Sequence, residues 1–512
     1  MSKGKKIALG FVIALLVVIV GLAIVIPMLI DVDRYRPKVA AYIEQETGKP
    51  TQIGRLTLTI LPQVAIRVDD FALRNPKGFP AGDFVKAKRI YAIVHPLALL
   101  HHEVVISSVE LDNPTIQLFS DVHGKWNFEN PPSKKTTAAA DPPGDDRGSF
   151  TLGVISKVAI RHGEFSAVNL LASGAPGPAF MVVHGAAIDL QQVDLNGFTT
   201  ALLTRPAEAP SALTALAAGL ILVVHAAGSQ GPMVAQGTVQ ADALQFGTLG
   251  VTKLKSKVRF YPKQVFFDNL DMNCYGGKAT GDLSLNFAGE NLGYATNAQL
   301  KGVNVARLLN AFPQGRGMMT GTLEGTATLD GEVTHSPDPL AGIRGTGQMS
   351  IRNGQLPSLQ LNRNLRELAK LASLGPANGD PSSFSSVSAD FKIAQQRLSS
   401  NKITVVGNGV NVDGSGSMTM AGEGTLDYQG VAALTASGDN PLTGVLAGMA
   451  GAKVSGGKMT FPFAVGGTLA NPKFSLKGGA GGPAAAPVAA AEQPVNAVRG
   501  IAGIIKKKKT QQ

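Results

Sequence analysis

The hydrophobic pattern of the chain changes period near residue 50. From Ile7 to Ile30 there is no charged residue, and Val, Ile and Leu dominate with only glycines and Pro27 as interruptions. At about 1.5 Å per residue, a helix of this length spans the roughly 30 Å hydrocarbon core of a bilayer with room to tilt. The run is too long for the apolar part of a signal peptide, and no small-x-small cleavage site closes it. It predicts a single membrane anchor preceded by a cytoplasmic tail of residues 1–6. Arg34, Arg36, Lys38 and Lys49 follow the run much as Lys3, Lys5 and Lys6 precede it, so charge alone does not orient it. Long domains translocate largely regardless of such charges, which favours the bulk of the chain lying outside the cytoplasm.

Directly after the run, DVDRYRPKVAAYIEQETGK reads as a short amphipathic helix placed where a first sheet meets the bilayer. Asp33 is positioned to cap it, Tyr35, Val39, Tyr42 and Ile43 approximate one apolar face, and Gly48 supplies the stop. Alternation then takes over. Leu56, Leu58 and Ile60 alternate with polar residues, as do Val64, Ile66 and Val68 beyond Pro62. The same period returns at Val258 and Phe260, at Leu270, Met272 and Cys274, and, after Gly276-Gly277, at Leu283, Leu285 and Phe287. It recurs at Ile403 and Val405, Val410 and Val412, and Met418 and Met420. These segments predict antiparallel strands with one oily and one wet face.

Two breaks divide this β material: residues 131–149, which have almost no apolar bulk, and the Gly/Ala/Pro-rich stretch after Lys477. The expected organisation is a tail at 1–6, a transmembrane helix at 7–30, an N-terminal β domain at 31–130, a flexible linker at 131–149, a middle β region at 150–340, a C-terminal β region at 341–477, and a low-complexity linker with a basic tail at 478–512. Short helices are expected at Val303–Phe312 and Leu361–Gly375. The apolar stretch Ala212–Gly228 is short for a span and contains His225; Leu220–Val224 reads instead as a buried strand paired with Met233–Val239.

Composition changes this picture little. With 60 Gly, 30 Pro and 6% aromatic residues in 512, the chain fits many turns joining aliphatic strands. The net charge of +11 sits mostly at the ends. Lys3, Lys5, Lys6, Arg499 and Lys506 to Lys509 leave only +3 between them, too little for a phosphate-binding groove, so nucleic acid is not an expected partner. One cysteine, Cys274, excludes an intramolecular disulfide and a cysteine-built zinc site. His101, His102 and Glu103 form the one histidine cluster, but neighbours on a strand point to opposite faces, which is poor geometry for a shared metal. No nucleophile elbow, zinc helix, Walker loop or dinucleotide fingerprint is found. The sequence therefore predicts neither an enzyme nor a cofactor.

The order of parts carries a resemblance. The anchor, then DVDRYRPKVAAYIEQETGKPTQIGRLTLTILPQVAIRVDDFALRNPKGFP, then VKAKRIYAIVHPLALLHHEVVISSVELDNPTIQLFSDVHGKWNFEN, resembles the N-terminal part of the AsmA family of bacterial envelope proteins. CYGGKATGDLSLNF, GTGQMSIRNGQLPSLQLNRNLRELAKL and FSSVSADFKIAQQRLSSNKITVVGNGVNVDGSGSMTM followed by LDYQG are similar to its C-terminal region. The stretch from about Phe150 to Gly250 matches no pattern of that kind. The resemblance implies a single-pass inner-membrane protein with a periplasmic body, a mainly β fold whose elongated, curled antiparallel sheet forms a groove, and a role in outer-membrane assembly or phospholipid transport. Its expected partners are membrane phospholipids and envelope proteins, and it supplies no catalytic residue.

A sheet with one apolar face must bury that face by folding on itself, by stacking a second sheet, or by curling around acyl chains. Periodicity is the same in all three. Two function classes therefore stay open: a lipid-handling groove, for which Leu270, Met272, Leu283, Leu285 and Phe287 are the candidate lipid-facing residues, and a non-catalytic envelope scaffold with a packed β core.

Overall fold

The computed structural model describes residues 31–60, 63–94, 106–128, 155–193, 233–286, 292–311, 319–333, 342–357, 382–407, 409–420, 424–435, 453–455, 458–468, 472–477 and 488–489, with residues 288, 316 and 317. The expected anchor Ile7–Ile30, His101–Glu103, the 131–149 linker, Leu220–Val224, Leu361–Gly375, Phe287 and all of the tail except residues 488–489 lie outside these residues. Among the described residues no helix is long and apolar enough to cross a membrane. The fold is mainly β, with few helices, and separates into two compact units: residues 1–247 with 253–266, and residues 248–252 with 267–512.

The first unit opens with a 3-10 turn, Asp33–Tyr35, that runs into helix α1, Arg36–Thr47. Pro37 sits in the first turn, where its missing N–H costs nothing, and Gly48 ends the helix at φ 65°, as expected for a left-handed cap. Asp33 does not cap the helix. Its carboxylate instead accepts the backbone N–H of Leu56 at 2.8 Å and lies 3.8 Å from Arg36, while the Arg36 guanidinium donates to the Gly54 carbonyl at 2.6 Å. These bonds tie the helix to an edge strand that would otherwise present unpaired backbone groups.

The sheet of this unit contains β1 (Thr51–Gln52), β2 (Arg55–Thr59), β3 (Ala65–Arg74), β4 (Asp83–Val94), β5 (Ile106–Ser120), β6 (Lys157–Leu170), β7 (Pro176–Gln191), β8 (Ala235–Phe246) and β9 (Leu249–Tyr261). Leu56 and Leu58 are buried, as the alternation predicts. Val258 and Phe260 are buried too, between exposed Lys257 and half-buried Arg259. β8 pairs with β7, Ile188 facing Val239. The expected all-antiparallel pairing fails once: β5 and β6 are parallel, Ser108 opposite Lys157 and Ser120 opposite Asn169. Parallel neighbours require a return connection, which residues 121–156 provide and which contains the proposed linker.

A second departure is the phase of the alternation. On β3 the apolar face carries Ile66 and Val68 and then Leu73; on β5 it carries Val109 and Leu111 and then Ile116; on β6, Val158 and Ile160 and then Phe165. Between each set stands one residue in the left-handed region: Asp70 (φ 51°), Asn113 (φ 50°) and His162 (φ 53°). On β7 the break is at Gly185 (φ 61°). Each inverts the side-chain phase within its strand, and together they form a transverse crease. Beside it runs a row of opposed charges. Asp69 faces Arg89, Arg89 faces Asp112 and Asp112 faces Arg161. Arg89 lies 2.9 Å from Asp112, and Arg161 donates to both oxygens of Asp189 at 2.6 and 2.8 Å.

At one end of this unit the apolar face is closed by aromatic rings. Trp126 stacks on Phe128 at 5.7 Å and meets Phe180 edge-on at 6.4 Å, and Phe180 meets Phe246 at 6.4 Å. Lys49, 3% exposed, donates to the carbonyls of Thr47 and Phe128 at 3.3 and 3.2 Å and lies 5.6 Å from the Phe84 ring centre. Burial lowers its pKa to about 8.

The second unit is an antiparallel meander of β10 (Gln264–Cys274), β11 (Gly277–Asn286), β12 (Leu292–Asn304), β13 (Thr322–Val333), β14 (Arg344–Gln355), β15 (Ser383–Ala394), β16 (Arg397–Gly407), β17 (Val410–Thr419) and β18 (Leu426–Thr435), with β10 beginning at the boundary. β18 pairs with β20 (Lys458–Gly467), whose other edge takes β19 (Lys453–Ser455) and β21 (Pro472–Leu476). The two-residue β22 (Val488–Ala489) pairs with β21. Tyr275-Gly276, both at positive φ, make the two-residue turn between β10 and β11. Helix α2, Val305–Asn310, is shorter than expected and is capped by Asn304, whose side chain accepts the Arg307 N–H at 2.9 Å.

Candidate functional site

The candidate site is the apolar face of the second unit. Leu283 faces Thr296, which faces Leu329 and then Gly345; the row continues through Ile393, Leu398, Met418 and Leu426. A parallel row runs from Leu300 through Gly325, Met349, Ala389 and Ile403. On the other face, the row from Asn297 through Thr328, Thr346, Lys392 and Ser399 to Ser417 is polar. Alternation thus separates an oily and a wet surface over many consecutive strands.

Burial along the oily surface is graded. At the end nearest α2, Ile351, Val387, Val405, Val412, Ala432 and Phe461 are buried in one cluster with Val305. Leu309 and Met319 pack against it. Away from that end, Leu300, Leu329, Phe391, Ile393, Leu398 and Met418 are only half-buried, and Met349 is 36% exposed. Among the described residues the strands of this unit make their substantial contacts with sheet neighbours and none with a second sheet. The surface is therefore a packed core at one end and an open apolar trough beyond it.

Aromatic rings lie over glycines along this trough. A Cβ at Gly347 would strike the Phe391 ring, one at Gly416 would meet Tyr428, and one at Gly331 would meet Tyr294. Rings laid on glycines cover backbone that lacks a side chain and keep the surface shallow. Burial raises the pKa of Tyr428, and burial followed by the nearby Asp330 carboxylate raises that of Tyr294. The Cys274 thiol is likewise raised by burial. All three are neutral at physiological pH, so they add no charge to an apolar surface.

Of the residues picked out by alternation, Leu283 is half-buried and Leu285 is 2% exposed; both lie on the oily face, Leu285 opposite Tyr294. Leu270 is buried and Met272 half-buried on β10. Met349, Leu329 and Phe391 were not legible as members of this surface, because Gly345, Gly347 and Gly325 occupy neighbouring apolar-phase positions and break the hydrophobic alternation. Among the described residues no group of three or more His, Cys, Asp or Glu side chains is arranged to hold a metal.

The sequence profile of the AsmA family matches residues 1–149 and 151–403. The chain belongs to the AsmA family. The AsmA match runs through the stretch from about 150 to 250 that no sequence pattern placed, and it ends within β16, so β17 to β22 continue the sheet beyond it. Comparison with curated proteins and comparison with solved structures each gave no match.

Proposed function

We propose that this AsmA-family protein handles lipid in the bacterial envelope, holding phospholipid acyl chains on the apolar trough of its second unit without catalysing a reaction. The observation that carries this reading is the half-buried row of Leu329, Phe391, Ile393, Leu398 and Met418 beside exposed Met349. An apolar side chain gains about 25 cal/mol for each Å² removed from water, so a row left partly wet across several strands favours an apolar occupant. Family membership and the uncharged Ile7–Ile30 run support a single-pass inner-membrane anchor with a periplasmic body.

The buried cluster around Val387, Val412 and Phe461 favours a second reading, an envelope scaffold with a filled core, for that end of the unit. One experiment separates the two. The body is released by a protease site inserted after Asp31, purified without detergent, and extracted for lipid mass spectrometry. Phospholipid near one or more molecules per chain supports lipid handling; a folded, lipid-free body overturns it and leaves the scaffold.

A further inference from the structure

The 3-10 turn and helix α1 together present an exposed stripe. Tyr35, Lys38 and Tyr42 stand at i, i+3 and i+7 and all three are exposed, Tyr35 at 39% and Tyr42 at 51%. Val39, Ile43 and Thr47, on the inward side, are half-buried. Arg34 stacks over the Tyr35 ring at 4.8 Å and is exposed. A short surface helix normally exposes charged and small polar residues, so two large rings on one stripe with a cation between them require a reason.

We infer that this stripe seats on the surface of a phospholipid bilayer, with the tyrosine rings at headgroup depth and Lys38 and Arg34 against anionic phosphates. The uncharged Ile7–Ile30 run ends immediately before Asp31, so a bilayer holding that run lies within a few residues of the 3-10 turn. Tyrosine suits this boundary because its ring is apolar and its hydroxyl is wet. Lysine extends its methylene stem along the apolar layer and keeps its ammonium in the headgroup region. Arg34 and Lys38 carry the sign that attracts anionic lipid, while the exposed acids of the segment, Asp31 and Glu44, flank them in sequence. Arg36 is not part of the contact, being held by Gly54 and Asp33. Through the Asp33–Leu56 and Arg36–Gly54 bonds, a helix lying on the membrane fixes the edge of the first sheet relative to it. This inference rests on the anchor reading and not on lipid handling by the second unit.

Hydroxyl-radical footprinting of the full chain tests it, with one copy per nanodisc of phosphatidylethanolamine and phosphatidylglycerol. Leu171, 51% exposed in a turn, serves as reference after correction for intrinsic reactivity. The expected result is oxidation of Tyr35 and Tyr42 several-fold below that of Leu171, with protection weakened several-fold in Lys38→Glu and in discs lacking phosphatidylglycerol. Oxidation of both tyrosines at the rate of Leu171 would overturn the inference. So would protection that appears only at two or more copies per disc, since a second chain would then be the cover. Neither outcome depends on whether the released body carries lipid.

Discussion

The backbone N–H of Asn269 donates to the Asp282 carboxylate at 2.8 Å, and Asn269 itself sits at φ 53°. A residue in this region turns the strand without continuing its ladder, and the acid on the neighbouring strand accepts the N–H that the ladder no longer uses. The same arrangement recurs in the first unit, where Glu164 accepts the N–H of Gly185 at 3.1 Å and meets His184 at 2.5 Å. Asp282→Ala should cost about 0.5–1 kcal/mol in denaturant unfolding, because the bond is exposed and water takes the place of the lost acceptor. Asn269→Val should cost more, because a β-branched residue resists positive φ, while Asn269→Gly should be close to neutral.

Those phase inversions explain what the sequence hid. Strands, turn positions and the oily face of β2, β9 and β11 were readable because Leu56, Leu58, Val258, Phe260, Leu283 and Leu285 alternate without interruption. The crease was not readable, since Asp70, Asn113 and His162 look like ordinary polar members of a strand until the backbone shows their positive φ. The parallel β5–β6 pairing was hidden as well, because period two is the same in either direction. Asp33 was misassigned because its carboxylate had two possible acceptor roles, and a long-range bond to Leu56 displaced the local cap. On the oily face, glycines under the rings of Phe391 and Tyr428 erased the hydrophobic signal at the positions that shape the trough.

Gly347→Ala tests that paving. The added methyl would strike both the Phe391 ring and the Thr326 carbonyl, so thermal unfolding should show a loss of about 1–3 kcal/mol. Phe391→Leu on that background should restore part of the loss, the remainder belonging to the backbone contact.

Arg161 holds the Asp189 carboxyl below its ordinary value of 3.8, chiefly through the paired hydrogen bonds, with Lys157 adding to the effect at 3.7 Å. A depressed carboxyl stabilises the fold above its unfolded value and loses that contribution as pH falls through the folded one. Because both side chains are about one-third exposed, Arg161→Met should cost only about 0.5–1 kcal/mol at neutral pH, and nothing in strong acid. Nuclear magnetic resonance titration should show Asp189 moving up towards 3.8 in the variant.

Lys49 also titrates below its ordinary value, but here the cause is burial rather than a charged partner. Its folded pKa of about 8 lies below the ordinary 10.5, so the unfolded chain binds more protons between these values and stability rises with pH across that window. The expected gain is about 3 kcal/mol. Denaturation of the parent and of Lys49→Met across pH 7 to 11 should show this rise in the parent and its absence in the variant.

The most direct test of lipid on the trough is photocrosslinking in intact cells from benzoylphenylalanine placed at Met349 or, as a control, at neighbouring Gln348. Met349 lies on the apolar face at 36% exposure, so a larger apolar side chain is accommodated without opening the core; exposed Gln348 faces the wet side. Mass spectrometry should find phospholipid adducts at Met349 and none at Gln348. Adducts that are absent from Met349, or equal at the two positions, would contradict an acyl-chain surface in this protein.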